Sequence, residues 1–396
     1  MIKDNQQPDS HELTGVRGIH YESGKQILVG IRNGKISGIT ETTEPSNEKA
    51  DYYIAPGLID NQVNGYRGVD FSGKGLNYDE FKAATTELWK DGVTSFIPTI
   101  VTGSHEDMLR NLRILADVTE DKYLLNSIPG FHLEGPYLSK EAGFYGCHPA
   151  KYLKNPSWEE FSEYQEAAKG KIIEITIAPE LEGAIPFIKQ CSANGIKVAL
   201  GHTNASAQQI LLAVVNGASL STHLGNGCAN QINRHLNPIW PQLASDELTV
   251  SVIADGHHLL PEELKVFYRV KGKKLILVSD VTHFIGMEPG DYEYLGNMVH
   301  LDIDGVARIP ELNCLAGASM TLKTGIETMI RVTGCSSGQA FNLAGRNVAD
   351  TLGLKDRGSL RSGKRADLVL FKLKNGLIKI KSTYIMGRMV YLNPQE

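Results

Sequence analysis

Four residues that can bind metal ions or move protons stand at the ends of short apolar segments of this chain. They are Glu134 in FHLE, His202 in ALGH, His223 in STH and Asp280 in LVSD. If these segments are parallel strands of one barrel, their carboxyl ends meet at a single mouth. Two imidazoles and one carboxylate leave a fourth coordination position for water, as in catalytic zinc sites. We therefore predict that Glu134, His202 and His223 bind a metal ion and that Asp280 accepts a proton from its water.

Each of these residues, taken singly, has an ordinary structural explanation. A buried histidine is more often a hydrogen-bonded core residue than a ligand, and an aspartate after a strand often caps a helix or forms a turn. A metal site is favoured because all four residues stand at the same end of their predicted strands. His132 lies two residues before Glu134 on the same strand face. It is therefore either a supporting hydrogen-bond partner or an alternative ligand.

Eight short apolar or β-branched segments alternate with amphipathic stretches in the middle of the chain. They cover 57–64, 95–100, 127–134, 172–179, 197–202, 219–223, 248–254 and 275–280. Eight uninterrupted β/α units favour a TIM barrel over a doubly wound sheet, and neither G-x-G-x-x-G nor a P-loop motif is present. Three longer runs follow strand ends, at 135–156, 224–247 and 281–318. We expect these runs to build the substrate pocket.

Both ends of the chain have the pattern of antiparallel β structure. Asn33-Gly34 and Asn375-Gly376 tolerate the positive φ of tight hairpin turns, and β-rich runs flank each pair. The predicted fold class is therefore α/β, with a (β/α)8 TIM barrel at residues 58–360. The two termini, residues 1–57 and 361–396, are predicted to form one small discontinuous β-sandwich domain.

The composition of the 396-residue chain is that of an ordinary globular protein, with 41% hydrophobic and 21% charged residues. The net charge of −5 carries no block of like charge, which argues against a nucleic-acid or membrane partner and favours a small molecule. The first fifteen residues are polar and no run of 18 apolar residues occurs, so we expect a cytoplasmic protein. The five cysteines lack CxxC spacing, which predicts reduced thiols.

Seven motifs, in this order along the chain, resemble the N-acetylglucosamine-6-phosphate deacetylase family of the amidohydrolase superfamily. They are APGLID (55–60), HLEGP (132–136), APE (178–180), GHTNA (201–205), THL (222–224), IADG (253–256) and GKRADL (363–368). The resemblance covers nearly the whole chain. It implies a barrel with a β sandwich, a homodimer, and removal of acetate from an N-acetylated amino sugar.

The resemblance also implies roles for single residues. Glu134, His202 and His223 match the family's metal ligands, Asp280 its catalytic acid and base, and His148 the histidine beside the acetyl carbonyl. Four further residues match family positions that contact the sugar or its phosphate, namely Asn226, Gly227, Arg234 and His258.

Strand one departs from the superfamily pattern. Where the superfamily commonly has His-x-His, this chain has Gln62-Val63-Asn64. A second metal ion would lack two of its strongest ligands, so we expect one divalent ion, with zinc favoured. Gln62 and Asn64 then either contact the substrate or line the pocket.

The run after His223 also differs from the family pattern. The family has a sequence close to HLYNAM there, whereas this chain has HLGNGC followed by ANQINRHLNP. Arg234 is therefore either a phosphate ligand or a surface residue. An unphosphorylated N-acetyl amino sugar remains an alternative substrate.

Three other functions compete with deacetylation. A cyclic-amide hydrolase would carry His-x-His and a lysine on strand four, where this chain has ITIAPE. A non-catalytic barrel scaffold would not need the intact ligand set. Nucleophilic catalysis by Cys147, beside His148, has no second supporting feature in the sequence.

Overall fold

A sheet of eight parallel strands forms the centre of the protein in the computed structural model, which describes residues 14–42 and 52–395. Numbered one to eight along the chain, the strands are Leu58–Val63, Val93–Val101, Phe131–Glu134, Ile172–Ile177, Lys197–Leu200, Ala218–Ser221, Thr249–Ile253 and Leu275–Val278. Each strand pairs with the next, and Val63 bridges Val281 beyond strand eight, which brings the last strand back to the first. The predicted (β/α)8 barrel is confirmed, and all eight predicted strands are present.

Helices cover the outside of this barrel. Within the described residues the α-helices are Tyr78–Lys90, His105–Val118, Trp158–Ala167, Ala184–Ala193, Ala207–Val215, Ile239–Ala244, Pro261–Lys271, Leu322–Thr333, Ser337–Leu343 and Arg346–Leu352. Short 3₁₀ turns lie at Lys122–Leu124, Ala150–Tyr152, Gly272–Lys274 and Pro310–Leu312. None of these helices has the length and apolar character that a membrane span requires.

Capping side chains set the starts of two helices. Ser157 accepts a hydrogen bond from the backbone N–H of Glu160 at the start of Trp158–Ala167. The helix Ala207–Val215 begins directly after Ser206. The reason is that Ser206 and Gln209 form a reciprocal capping box, which places the helix boundary after Ser206.

A second, seven-stranded sheet unites the two ends of the chain. Its strands are Thr14–His20, Gln26–Arg32, Lys35–Glu41 and Tyr53–Pro56 from the N-terminal side, and Leu368–Lys374, Leu377–Ile385 and Arg388–Leu392 from the C-terminal side. The predicted Asn-Gly turns form with positive φ at all four residues. This sheet fits the predicted small sandwich domain. Residues 1–13, 43–51 and 396 of that prediction lie outside the described residues, and its exact boundaries stay a prediction.

The run after strand eight has secondary structure that no pattern in its sequence predicts. Residues 281–318, which we call the insert, contain an antiparallel sheet of strands Gly290–Tyr294, Asn297–Leu301, Ala307–Ile309 and Cys314–Leu315. The insert has a small hydrophobic cluster of its own, formed by Phe284, Tyr294, Val299, Leu301, Ala307, Ile309 and Ala316. A further two-strand ribbon, Gly65–Tyr66 with Val69–Asp70, follows strand one. The insert therefore stands as a folded wall at the carboxyl end of the barrel.

Candidate active site

The four residues predicted to bind the metal ion and move the proton lie at the carboxyl end of the barrel. Glu134 ends strand three, and the other three residues follow strands five, six and eight within two residues of the strand end. All four side chains are buried. His202, His223 and Asp280 have positive φ angles of 50°, 31° and 52°. Left-handed backbone at non-glycine residues is tolerated where the surroundings enforce it, and such residues concentrate at functional sites.

Glu134, His202 and His223 form a compact cluster. Oε1 of Glu134 lies 3.0 Å from Nε2 of His223 and 3.4 Å from Nε2 of His202. One ligand atom from each residue falls within 4.8 Å of the others. Nδ1 of His202 is 3.1 Å from the carbonyl oxygen of Phe144, an acceptor, so Nδ1 carries the proton and Nε2 presents its lone pair to the cluster. This donor set fits a divalent cation.

The electrostatics of the cluster favour a positive charge at its centre. Burial raises the pKa of the Glu134 carboxyl, but the neighbouring imidazoles of His202 and His223 outweigh burial and lower it well below its ordinary value. Burial lowers the pKa of His223, and the hydrogen bond and charge of Glu134 outweigh that effect and raise it. The cluster therefore holds a buried carboxylate that must be neutralised by a proton or a metal ion.

Two side-chain amides from strand one and its end hold the neighbouring Asp280. Nε2 of Gln62 donates to Oδ1 of Asp280 at 2.8 Å and to Oε1 of Glu134 at 3.0 Å. Nδ2 of Asn64 donates to the same Oδ1 of Asp280 at 2.7 Å. Burial and the charge of Glu134 raise the pKa of the Asp280 carboxyl above its ordinary value. A carboxylate that is fixed and made more basic in this way suits a proton acceptor.

The positions of Gln62 and Asn64 differ from each other. Asn64 lines the cavity beside the cluster, whereas Gln62 lies behind the two carboxylates and does not line it. The physical reason is that the Gln62 amide is drawn into the bonds with Glu134 and Asp280. A contact between Gln62 and the substrate stays a prediction. In the structure, the Gln62 amide links the carboxylates of Glu134 and Asp280.

His148 lies beside the cluster as expected. Its ring centroid is 4.5 Å from that of His202, and its Nε2 is 3.9 Å from Oε2 of Glu134. Nδ1 is 2.9 Å from the hydroxyl of Thr102, a residue just past strand two. Burial lowers the pKa of His148 to about 3, so the imidazole is neutral. Nothing in the sequence around Thr102 signalled this contact.

His132 belongs to the barrel interior rather than to the metal cluster. Its Nε2 is 2.7 Å from the hydroxyl of Thr176, which is 2.8 Å from the hydroxyl of Thr222. Thr222 directly precedes His223. Of the two interpretations of His132, the hydrogen-bonded supporting residue is the one that this chain of contacts favours.

A cavity of about 600 Å³ opens above the cluster. All three long runs predicted to build the pocket contribute to its lining. Asn230, in the loop after strand six, donates from its amide to the carbonyl oxygen of Asn313 in the insert at 2.9 Å. The loop and the insert are thereby joined across the cavity wall.

Besides Asn64, three residues predicted to contact the sugar or its phosphate line this cavity, namely Asn226, Gly227 and His258. Gly227 has a φ of 59°, and a Cβ there would lie 2.9 Å from Nδ1 of His202, so glycine is needed for the loop to pass over that ring. Nδ1 of His258 is 2.7 Å from Oδ2 of Asp255. This contact fixes the ring and leaves Nε2 available to a ligand.

Arg234 is exposed and does not line the cavity. Its backbone carbonyl accepts a hydrogen bond from the indole of Trp240 at 3.0 Å. Within the described part of the chain, the arginine or lysine that does line the cavity is Arg308, from the insert. Its Nε is 3.5 Å from Oδ2 of Asp302. The phosphate contact of Arg234 stays a prediction, and the sequence analysis missed Arg308 because its position depends on how the insert folds.

The comparison with known families defines the class of protein. The model of the amidohydrolase family matches residues 53–391, so the chain belongs to the amidohydrolases. This match spans the barrel and four of the seven strands of the terminal sheet. The clustered imidazoles and carboxylate at the barrel mouth are consistent with a hydrolase of this class.

More similar relatives narrow the assignment. The N-acetylglucosamine-6-phosphate deacetylase of Bacillus subtilis is 32% identical over 357 residues, covering 87% of this chain and 89% of the relative. The enzyme of that name from Caenorhabditis elegans is 32% identical over 393 residues, covering 93% and 91%. Within the amidohydrolases, the chain therefore belongs to the N-acetylglucosamine-6-phosphate deacetylase family.

Solved structures agree with this assignment. The deacetylase from Thermotoga maritima superposes with a TM-score of 0.85 at 28% identity, covering 96% of this chain and all of the other. A mutant of the Mycobacterium smegmatis enzyme, in complex with N-acetyl-D-glucosamine-6-phosphate, gives a TM-score of 0.84 at 26% identity, covering 95% and 99%.

Proposed function

We propose that this protein hydrolyses the acetamide of N-acetylglucosamine-6-phosphate and releases acetate and glucosamine-6-phosphate. One observation carries the proposal: the cluster of Glu134, His202 and His223 lies beside Asp280 at the floor of the cavity, in a chain of this deacetylase family. The family's relatives are named for the same substrate.

The proposed cofactor is one divalent metal ion, with zinc favoured, held by Glu134, His202 and His223. Zinc in a set of two imidazoles and one carboxylate lowers the pKa of a coordinated water toward neutrality and polarises a carbonyl group. The proton of His202 on Nδ1, bonded to Phe144, keeps Nε2 unprotonated for that role. Gln62 and Asn64, in place of His-x-His, donate hydrogen bonds to carboxylates, which supports a single ion.

Asp280 is the proposed proton carrier. Its Oδ1 accepts bonds from both Gln62 and Asn64, so its orientation is fixed. The carboxylate accepts a proton from the attacking water and then gives it to the departing sugar nitrogen, because an amide nitrogen expelled as an anion would be prohibitively basic.

His148 is the proposed donor to the acetamide oxygen. Its 2.9 Å contact allows the Thr102 hydroxyl to donate to Nδ1, which leaves the neutral ring protonated at Nε2. Such a donor stabilises the negative charge that develops on the carbonyl oxygen.

The substrate's phosphate needs a cationic partner at the outer part of the cavity. Family resemblance points to Arg234, whereas the cavity lining points to Arg308. The position of Arg308 favours it as the phosphate contact. Assembly as a homodimer and location in the cytoplasm are expected from the resemblance and from the sequence, respectively.

A single parallel assay tests the proposal. The purified protein, with its bound metal quantified, is incubated with N-acetylglucosamine-6-phosphate and with N-acetylglucosamine, and release of the primary amine is measured. We expect turnover of the phosphosugar with a higher kcat/KM than the free sugar. A higher kcat/KM for the free sugar would favour the unphosphorylated substrate, and no amine from either would refute the deacetylase assignment.

A further inference from the structure

Tyr294 stands where the insert meets the active-site cavity. It ends the strand Gly290–Tyr294, its side chain is 4% exposed, and it belongs to the cavity lining. The ring packs edge-on against Phe284, with centroids 5.5 Å apart and planes at 80°. It also contacts the ring of His283, with centroids 5.1 Å apart. These contacts fix the ring in place, so the position of its hydroxyl is fixed as well.

The hydroxyl of Tyr294 makes no hydrogen bond to another side chain or to the backbone within residues 14–42 and 52–395, and it is not among the enclosed polar atoms, because Tyr294 lines the cavity. Tyr292, two residues earlier on the same strand, donates its hydroxyl to the carbonyl oxygen of Glu288 at 2.7 Å. A hydroxyl at a cavity wall bonds water or a ligand. The Tyr294 hydroxyl is therefore available to a ligand that fills the cavity, whereas the Tyr292 hydroxyl is already bonded.

The surroundings keep this phenol protonated. Burial raises the pKa of Tyr294 well above its ordinary value, and the charges of Asp70, Asp280 and Glu134 add to that rise. Tyr294 lines the same cavity as Asp280 and Glu134. A protonated phenol both donates and accepts hydrogen bonds, which suits it to a sugar hydroxyl.

We propose that Tyr294 is a specificity-determining residue that hydrogen-bonds a ring hydroxyl of the bound amino sugar. This inference rests on the proposed function for its substrate class. It goes beyond that function by assigning to the insert, and not only to the barrel loops, the recognition of the sugar ring.

The test compares two single-atom deletions on the same strand. Tyr294→Phe removes the unpaired hydroxyl and keeps the packed ring, while Tyr292→Phe removes a hydroxyl already satisfied by Glu288. Both variants are assayed with N-acetylglucosamine-6-phosphate and with its 1-deoxy, 3-deoxy and 4-deoxy analogues, and metal content and Tm are measured alongside. We expect Tyr294→Phe to lower kcat/KM for the full substrate by about 5- to 50-fold, and Tyr292→Phe to change it less than twofold.

The analogues identify the hydroxyl that is bound. For one deoxy analogue, wild type and Tyr294→Phe should have equal kcat/KM, because that analogue already lacks the partner. A wild-type kcat/KM in Tyr294→Phe would overturn the proposal. So would an equal loss for every analogue, which would place the hydroxyl at the acetamide or in a structural role. If wild type deacetylates none of these sugars, the proposed function itself fails.

Discussion

The side-chain amide of Asn64 donates to Oδ1 of Asp280 over 2.7 Å, and this bond joins the end of strand one to the end of strand eight. It lies at the seam where the barrel closes, beside the backbone bond from Asp280 to the carbonyl of Gln62. Barrel closure and the orientation of the proposed proton carrier therefore depend on the same few residues.

Replacing Asp280 tests its role as proton carrier. Asp280→Asn keeps the size of the side chain but cannot accept the proton, so kcat should fall by roughly 10²- to 10⁴-fold while metal content is retained. Asn64→Ala keeps the Asp280 carboxylate and removes one of its hydrogen-bond donors, so this variant should lower kcat by about 10-fold. Steady-state kinetics with metal analysis provide the measurement. Near-normal turnover by Asp280→Asn would assign the proton transfer to another group.

Removing single ligands tests the one-metal site. Glu134→Ala, His202→Ala or His223→Ala should each lose most of the bound metal and the activity, because three ligands define the set. Gln62→Ala, the control that removes a hydrogen-bond donor to Glu134 but no ligand, should retain about one ion per chain. Elemental analysis of the purified proteins decides the matter, and two tightly bound ions in the wild-type protein would contradict the prediction.

Replacing Arg308 and Arg234 one at a time tests which of them binds the phosphate. Arg308→Gln should lower kcat/KM for N-acetylglucosamine-6-phosphate by roughly 10- to 150-fold and change it little for the free sugar, because charge-assisted bonds are worth about 1.5–3 kcal/mol. Arg234→Gln is the matched comparison. If the selective loss follows Arg234→Gln instead, the exposed loop and not the insert binds the phosphate.

The bond between Thr102 and His148 can be removed with little change of shape. Thr102→Val should lower kcat by about 5- to 30-fold with metal content unchanged, because the imidazole loses the contact that fixes its protonation and orientation. Thr102→Ser retains the hydroxyl and should recover most of the activity. Equal activity in the valine and serine variants would show that the hydroxyl does not support His148.

Glu174, inside the barrel, should make stability depend on pH. Its two carboxylate oxygens accept bonds from Nδ2 of Asn61 at 3.2 and 3.0 Å, and burial raises its pKa to about 8. A folded-state pKa above the unfolded value of ~4.3 means that the contribution to stability is complete below pH 4.3 and is lost as pH rises through about 8.

Glu174→Gln removes this titration. The Tm of the variant, relative to wild type, should therefore rise steadily between pH 5 and pH 8. The exposed Glu166→Gln, measured by the same thermal unfolding, should show no such trend. A constant difference in Tm between Glu174→Gln and wild type across this range would show that Glu174 does not titrate there.

The strand ends and the three runs that build the pocket were predictable from sequence, but the secondary structure and side-chain contacts of the cavity wall were not. Glu134, His202, His223 and Asp280 follow recognisable apolar segments, and the topology of a parallel barrel brings such ends together without further information. The contacts of Gln62 depend on how strand one closes against strand eight. Tyr294 and Arg308 sit in an insert whose strands pair with each other, so no periodic pattern related them to the barrel.

The contact between Thr102 and His148 could not be predicted from sequence either. A threonine after a buried strand is common, and this one contacts His148 only because the loop that carries His148 passes beside it. Sequence motifs identified His148, but its hydrogen-bond partner lies 46 residues earlier and could be found only from the folded chain.

The terminal sheet has a consequence for the order in which the chain can fold. Its middle strands, Tyr53–Pro56 and Leu368–Lys374, pair although they are about 300 residues apart in sequence. The hairpin at Gln26–Glu41 can form from local contacts, but the strand Tyr53–Pro56 can pair with its antiparallel neighbour only after Leu368–Lys374 has left the ribosome. Pairings of such long sequence separation are slow. The N-terminal part therefore presents an unpaired β edge during synthesis, and folding of this sheet is completed last.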